Sequence, residues 1–167
     1  MSGPQETTHF EALDACHQQT LVHLNSLAAL IKHVEANGVD DHARHEAGTI
    51  ETFFSKTSRN HHAEEERSVF PPLLAQGDAQ TVTTIRGLQQ DHGWIEENWI
   101  ELAPQLRAMA LGNTWLDAAE FQHYAEVFLD LCREHIAVEE SLIYPESKAL
   151  WAKALAARAQ RLASATP

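Results

Sequence analysis

The chain has 167 residues, 44% of them hydrophobic, enough to bury one core and too few for two comfortable domains, so residues 1–167 are read as a single domain. Lys and Arg number 12 against 24 Asp and Glu, a formal charge of −12 with no basic cluster, which excludes a nucleic-acid binder. No apolar run is long enough for a membrane span, the opening MSGPQETTHF lacks the basic flank and apolar core of a secretory signal, and two cysteines (Cys16 and Cys132) make no disulfide framework, so the expected location is the cytoplasm.

Glycines and prolines fall between long periodic segments, the pattern of helices joined by short loops. The first predicted helix opens at Thr8 with Glu11 behind it as a capping box, carries Phe10, Leu13, Leu21, Leu24, Ala28 and Ile31 on one face, and stops near Gly38. A second starts at Asp40 or Asp41, carries Ile50, Phe54 and Val69, and is expected to end at Pro71-Pro72. A third follows Asp78 with Val82, Ile85, Leu88, Ile95 and Trp99, and Pro104 is expected to kink or close it. A fourth opens at Thr114, with Asp117 behind it, and carries Phe121, Tyr124, Phe128 and Leu142 as far as Pro145. The alanine-rich tail, about 146–163, reads as a further helix on the outside. No alternating β pattern occurs, so the fold class is all-α: an up-down-up-down four-helix bundle over about residues 8–145 plus the C-terminal helix.

The second half repeats the first. His61-His62-Ala63-Glu64-Glu65-Glu66-Arg67-Ser68-Val69-Phe70-Pro71 aligns with His135-Ile136-Ala137-Val138-Glu139-Glu140-Ser141-Leu142-Ile143-Tyr144-Pro145 at a shift of 74, and Phe54 falls on Phe128 in the same register. At a shift of 75 the first helix maps onto the third, Leu13 on Leu88 and His17 on His92. The bundle is therefore expected to be two helical hairpins about a pseudo-twofold axis.

Eleven histidines are unusual for this length, and the repeat places four of them on apolar faces. His17 lies between Leu13 and Leu21, and His92 between Leu88 and Ile95. His61 continues the stripe of Ile50 and Phe54, and His135 that of Phe128 and Leu131. Glu65 and Glu139 follow their histidines at i+4, on the same face. One inward histidine is ordinarily a core imidazole bonded to a carbonyl. Four histidines and two carboxylates on four inward faces are different, since burying them without partners costs many kcal/mol, and a metal site answers that cost. Two bridging carboxylates, two imidazoles per ion and one solvent-derived bridge would give each ion about five ligands. That number, without thiolates, suits iron or manganese better than structural zinc, although zinc is compatible with the donors.

The paired His-x-x-x-Glu-Glu-x-x-(Val/Ile)-(Phe/Tyr)-Pro segments, each preceded by a helix with an inward histidine, resemble the hemerythrin-like (HHE cation-binding) family over about residues 10–145. The resemblance implies a four-helix bundle holding two iron ions in a non-haem di-iron centre that engages oxygen or a related small molecule such as nitric oxide. Carried over by position, His17 and His61 would serve one iron, His92 and His135 the other, and Glu65 and Glu139 would bridge. Oxygen-carrying members place a histidine one turn after the third-helix ligand. Here that position holds Glu96, either an additional ligand or a carboxylate at the solvent boundary. His62 is an eighth candidate ligand, against a helix–helix contact, and its repeat mate is Ile136. Glu66 and Glu140 could orient imidazoles from outside, Cys132 could approach the cavity, and Trp99 could wall it. His9, His23, His33, His42, His45 and His123 have no repeat mate and are expected at the surface or behind the ligands rather than on the metal.

The leading function is a protein that binds or senses oxygen, nitric oxide or iron itself. The alternatives are a di-iron oxidoreductase acting on peroxide or nitric oxide, and an interaction module whose metal only staples the bundle.

Overall fold

Six α-helices and two π-helical turns account for nearly all of the chain in a computed structural model, which describes residues 3–113 and 116–165, with side chains from residue 9 onward. They are α1 (Gly3–Asn37), α2 (Asp41–Glu64), α3 (Phe70–Gln76), α4 (Ala79–Ala110), α5 (Ala118–Val138) and α6 (Tyr144–Ser164). α1 packs on α2 and α5, and α4 packs on the same two, so the four long helices close into a bundle. Among the described residues there is no strand, as the sequence predicts.

The helix signals act where side-chain oxygens replace missing backbone partners. Asp40 accepts from the Ala43 amide at 2.9 Å, Asp78 from Thr81 at 2.8 Å, and Asp117 from Ala119 at 2.9 Å. Gly38, at φ +73°, closes α1 in the left-handed conformation that glycine adopts without steric cost. The start expected at Thr8 is corrected, because α1 already runs from Gly3 and Thr8 lies inside it. The opening expected at Thr114 lies outside the described residues, and α5 begins after Asp117.

The prolines behave differently from the expectation. Neither Pro71-Pro72 nor Pro145 ends its helix. At both places α-helix passes into a five-residue π turn, Glu65–Val69 and Glu139–Ile143, and the proline then occupies the first turn of α3 or α6. The proline ring, which would clash with the i−4 carbonyl of a regular turn, follows just after the widened turn. The widened turn is closed by the Phe70 amide donating to the Glu65 carbonyl and the Tyr144 amide to the Glu139 carbonyl. Pro104 likewise leaves α4 continuous, with Pro104 and Ile100 both exposed so that water can take the freed carbonyl.

The core divides in two. A larger cluster joins Leu24, Leu27, Ile50, Phe54, Leu102, Leu106, Phe121 and Phe128. A smaller one joins Leu13, Val69, Phe70, Ile85, Leu88, Ile143 and Tyr144. The inward histidines fall between them, one or two turns from each along every helix.

Candidate metal centre

Both π turns begin at the glutamates of the repeat. A π turn carries one residue more than an α turn, and such bulges re-aim side chains within a continuous helix. Glu65 and Glu139 are each fully buried, at 0% exposure, and face one another's histidines. His61 Nε2 lies 3.1 Å from Glu65 Oε1, and His135 Nε2 lies 2.9 Å from Glu139 Oε1, the two i, i+4 pairs of the sequence. The other helices cross-link them. His17 Nε2 is 3.2 Å from Glu139 Oε2 and 3.7 Å from Glu65 Oε1, while His92 Nε2 is 3.3 Å from Glu65 Oε2 and 3.7 Å from Glu139 Oε1.

These atoms converge without satisfying one another. Glu65 Oε2, both oxygens of Glu139 and His61 Nε2 are buried with no hydrogen bond of acceptable geometry. The Nε2 atoms of His92 and His135 face each other at 3.1 Å. The outer nitrogens explain why. His92 Nδ1 meets Glu66 at 2.9 Å, His17 Nδ1 meets Glu140 at 3.3 Å, and His135 Nδ1 approaches Asp91 at 3.5 Å. Glu66 and Glu140 outside anchor the outer nitrogens of His92 and His17 and turn each Nε2 inward, the arrangement that orients metal-ligating imidazoles, while His135 Nδ1 is buried without a hydrogen bond. Glu66 and Glu140 thus occupy the orienting places the sequence suggests.

Two overlapping donor sets result, His17–His61–Glu65–Glu139 and His92–His135–Glu65–Glu139, each with ligand atoms within 4.8 Å of one another. The six residues of the repeat are therefore brought together. His62 joins them in a third set with His92 and His135, its ring stacked on that of His92 at 4.0 Å between centroids. Glu96 is not brought in: it is half-exposed and paired with Arg59 at the surface, the second of the two positions the sequence leaves open. Unmated histidines stay outside, with His9 beside Glu64, His23 stacked on Phe53, and His33 on the capping carboxylate of Asp40.

Buried charges shift together. Burial disfavours the Glu65 carboxylate, but the neighbouring His61 and His92 imidazoles hold it down at about 2. Glu139 is held well below the usual carboxylate range against the same burial, by His135, His17 and His92. Burial also opposes charge on His61, yet Cys16 and Glu65 carry it up to about 10, and Glu139 and Glu65 carry His92 up to about 9. His62 moves the other way, to about 3, because it is buried and its neighbour His92 is cationic. A cation in the centre would take over the role these protons play.

Three participants lie beyond the sequence reading. Tyr144 is buried, stacks on His17 with ring centroids 4.9 Å apart, and donates its hydroxyl to Glu65 Oε1, 3.3 Å from His17 Nε2. Cys16 helps raise the His61 imidazole, and Asp91 faces His135. Their signal is position, since Cys16 and Asp91 each precede a ligand histidine and Tyr144 aligns with Phe70 in the repeat. A cavity of about 20 Å³ opens beside the donors, lined by His17, His61, His62 and His135 with Ile95 and Cys132. Cys132 does reach it, and burial pushes its thiol pKa up, so it stays protonated. Trp99 packs on Phe54 and Phe128 and forms part of a groove between α2 and α4 that ends at His62 and His92.

Comparison with known proteins bears on the same residues. The family model for the hemerythrin HHE cation binding domain matches residues 8–147, which contain every donor described. A Haemophilus influenzae (strain Rd) protein, described only as an uncharacterized protein, is 30% identical over 132 residues, 79% of this chain and 74% of its own length. No solved structure matches significantly.

Proposed function

The chain belongs to the hemerythrin HHE cation-binding family, and from that premise we propose that it is a non-haem di-iron protein that binds or senses oxygen, nitric oxide or iron. The observation that carries this reading is the sharing of Glu65 and Glu139 between two donor sets, which makes room for two ions linked by common carboxylates. His17 and His61 would hold one ion, and His92 and His135 the other, with His62 as a third nitrogen at the second position. The residues fit a metal, because buried carboxylate oxygens and imidazole nitrogens converge here with unmet hydrogen-bonding capacity. They fit iron or manganese better than structural zinc, being mixed nitrogen and oxygen donors without a thiolate.

Iron held there would supply redox-active coordination positions open to exchange. The chain's own residues would then shape what enters. The cavity of about 20 Å³ is of the order of a single water, which suits a diatomic molecule and leaves little room for anything larger. The imidazoles and Cys132 give it few donors, and Ile95 and Ile136 keep it apolar. This favours binding of a small neutral ligand over turnover of a bulky substrate. The expected location remains the cytoplasm. Among the described residues no helix is long and apolar enough to cross a membrane.

The deciding experiment is metal content of aerobically purified, untagged protein, with the visible spectrum recorded before and after azide. Two irons per chain and a charge-transfer band that azide shifts are expected. Two irons with an unmoved band would mean a closed site and redirect the reading to storage or structure. A chain that takes no iron, even after anaerobic ferrous reconstitution, would overturn it.

A further inference from the structure

The repeat supplies an internal control, since each residue around the centre has a mate in the other half. Glu66 and Glu140 are mates and do the same work on His92 and His17. Another mated pair, besides His62 and Ile136, differs in a group that touches these donors. Tyr144 is the mate of Phe70. Each ring stacks on an imidazole, Tyr144 on His17 and Phe70 on His92, but only Tyr144 carries a hydroxyl, and it donates to Glu65 Oε1. Of the four carboxylate oxygens of Glu65 and Glu139, this one is bonded, and the other three have no hydrogen bond.

Resting on the di-iron reading above, we propose that Tyr144 loosens the protein's hold on the ion at the His17–His61 position, so that the two ions leave and exchange at different rates. A hydrogen bond to Glu65 Oε1 draws electron density from the oxygen that faces His61 and His17, and weakens it as a donor. The effect acts on one position, and Phe70, which has no hydroxyl, spares the other. Tyr144 is a positioning residue, acting through Glu65. The consequence is a chain with one retained and one exchangeable ion, able to pass through a half-loaded state.

The test is release of ferrous iron from the full chain, loaded anaerobically and mixed with excess chromogenic ferrous chelator. Wild type is expected to release its ions in two phases of equal amplitude. Tyr144→Phe should slow the fast phase roughly tenfold and leave the slow phase alone. Phe70→Tyr, which gives the second glutamate the missing donor, should speed the slow phase. A merely structural role would speed both phases in Tyr144→Phe, so the direction of change separates the cases. Two ions leaving in one phase, or a fast phase equal in wild type and Tyr144→Phe, would overturn this inference while leaving the di-iron reading intact. A chain that takes up fewer than two ions would overturn both.

Discussion

The same four helices build two unlike layers. Around Leu24, Ile50, Phe54, Leu102 and Phe128 the bundle is dry, each side chain at or near zero exposure and packed on its neighbours. One to two turns away His17, His61, His92 and His135 crowd two buried carboxylates, three of whose four oxygens find no hydrogen bond. The dry layer is held by burial of apolar surface, worth about 1.5–3 kcal/mol for each large side chain. The polar layer has no such support, and a buried carboxylate is costly unless paired. The difference teaches that the fold is specified below the site, leaving the donors free to be chosen for an ion. It also separates two functional readings: a metal that merely staples the bundle would be needed for folding, whereas a bundle held by its apolar layer would keep its helices without one.

Breaking the polar layer should have the largest effect. His61→Ala or Glu139→Ala is expected to lower metal affinity at least ~100-fold, beyond the ~10–100-fold typical of outer partners, read as metal per chain after desalting. His23→Ala should keep full metal, since that ring lies on Phe53 away from the donors. Equal retention in all three would end the assignment. Breaking the dry layer should do the reverse. Phe128→Ala is expected to cost about 3–5 kcal/mol in denaturant unfolding while the folded fraction still binds the same metal per chain. Chelating the metal from wild type should leave the far-ultraviolet helix signal in place and lower the melting temperature. Loss of the helix signal would favour the staple.

How far this contrast is visible in the sequence depends on its periodicity. The dry layer and all six repeated donors follow from apolar spacing and the 74-residue echo, because helix faces are set by a period the chain displays openly. The π turns were not legible. Pro71 and Pro145 read as stops, since a proline's local cost is visible, whereas the extra residue that relieves it depends on where Glu65 and Glu139 must point. Tyr144 aligns with Phe70, and one hydroxyl barely changes a hydrophobic pattern, so its bond to Glu65 leaves no trace in the sequence. Glu96 could be placed on either side of the solvent boundary, and only its surface pairing with Arg59 decides between them.

Acidity should sharpen the contrast by a smaller amount, because only the polar layer titrates. In the metal-free protein the raised values of His61, about 10, and His92, about 9, contribute stability that is fully present below the unfolded value of 6.5. It is lost as pH rises through 9 to 10. Glu65, held at about 2, contributes stability present above 4.5 and lost as pH falls towards 2. His62, held at about 3, must stay neutral in the fold, so its contribution fades as pH drops from 6.5 towards 3. Metal-free stability should therefore peak near pH 6.5, while metal affinity rises with pH up to about 9 to 10 as His61 and His92 give up their protons. A flat profile in metal-free unfolding would mean the donors are solvated rather than held together.

The smallest effect belongs to Glu96→Gln. Its partner Arg59 and its own carboxylate are both well exposed, at 78% and 48%, and exposed pairs contribute on the order of 0–1 kcal/mol. The substitution removes the charge beside the groove that leads to His62 and His92 without touching a donor. Metal per chain should be unchanged and the melting temperature should move by no more than a degree or two. A loss of metal in Glu96→Gln would show that this carboxylate swings from Arg59 into the centre when an ion arrives, and would blur the line between the polar layer and the surface that the pairing now draws.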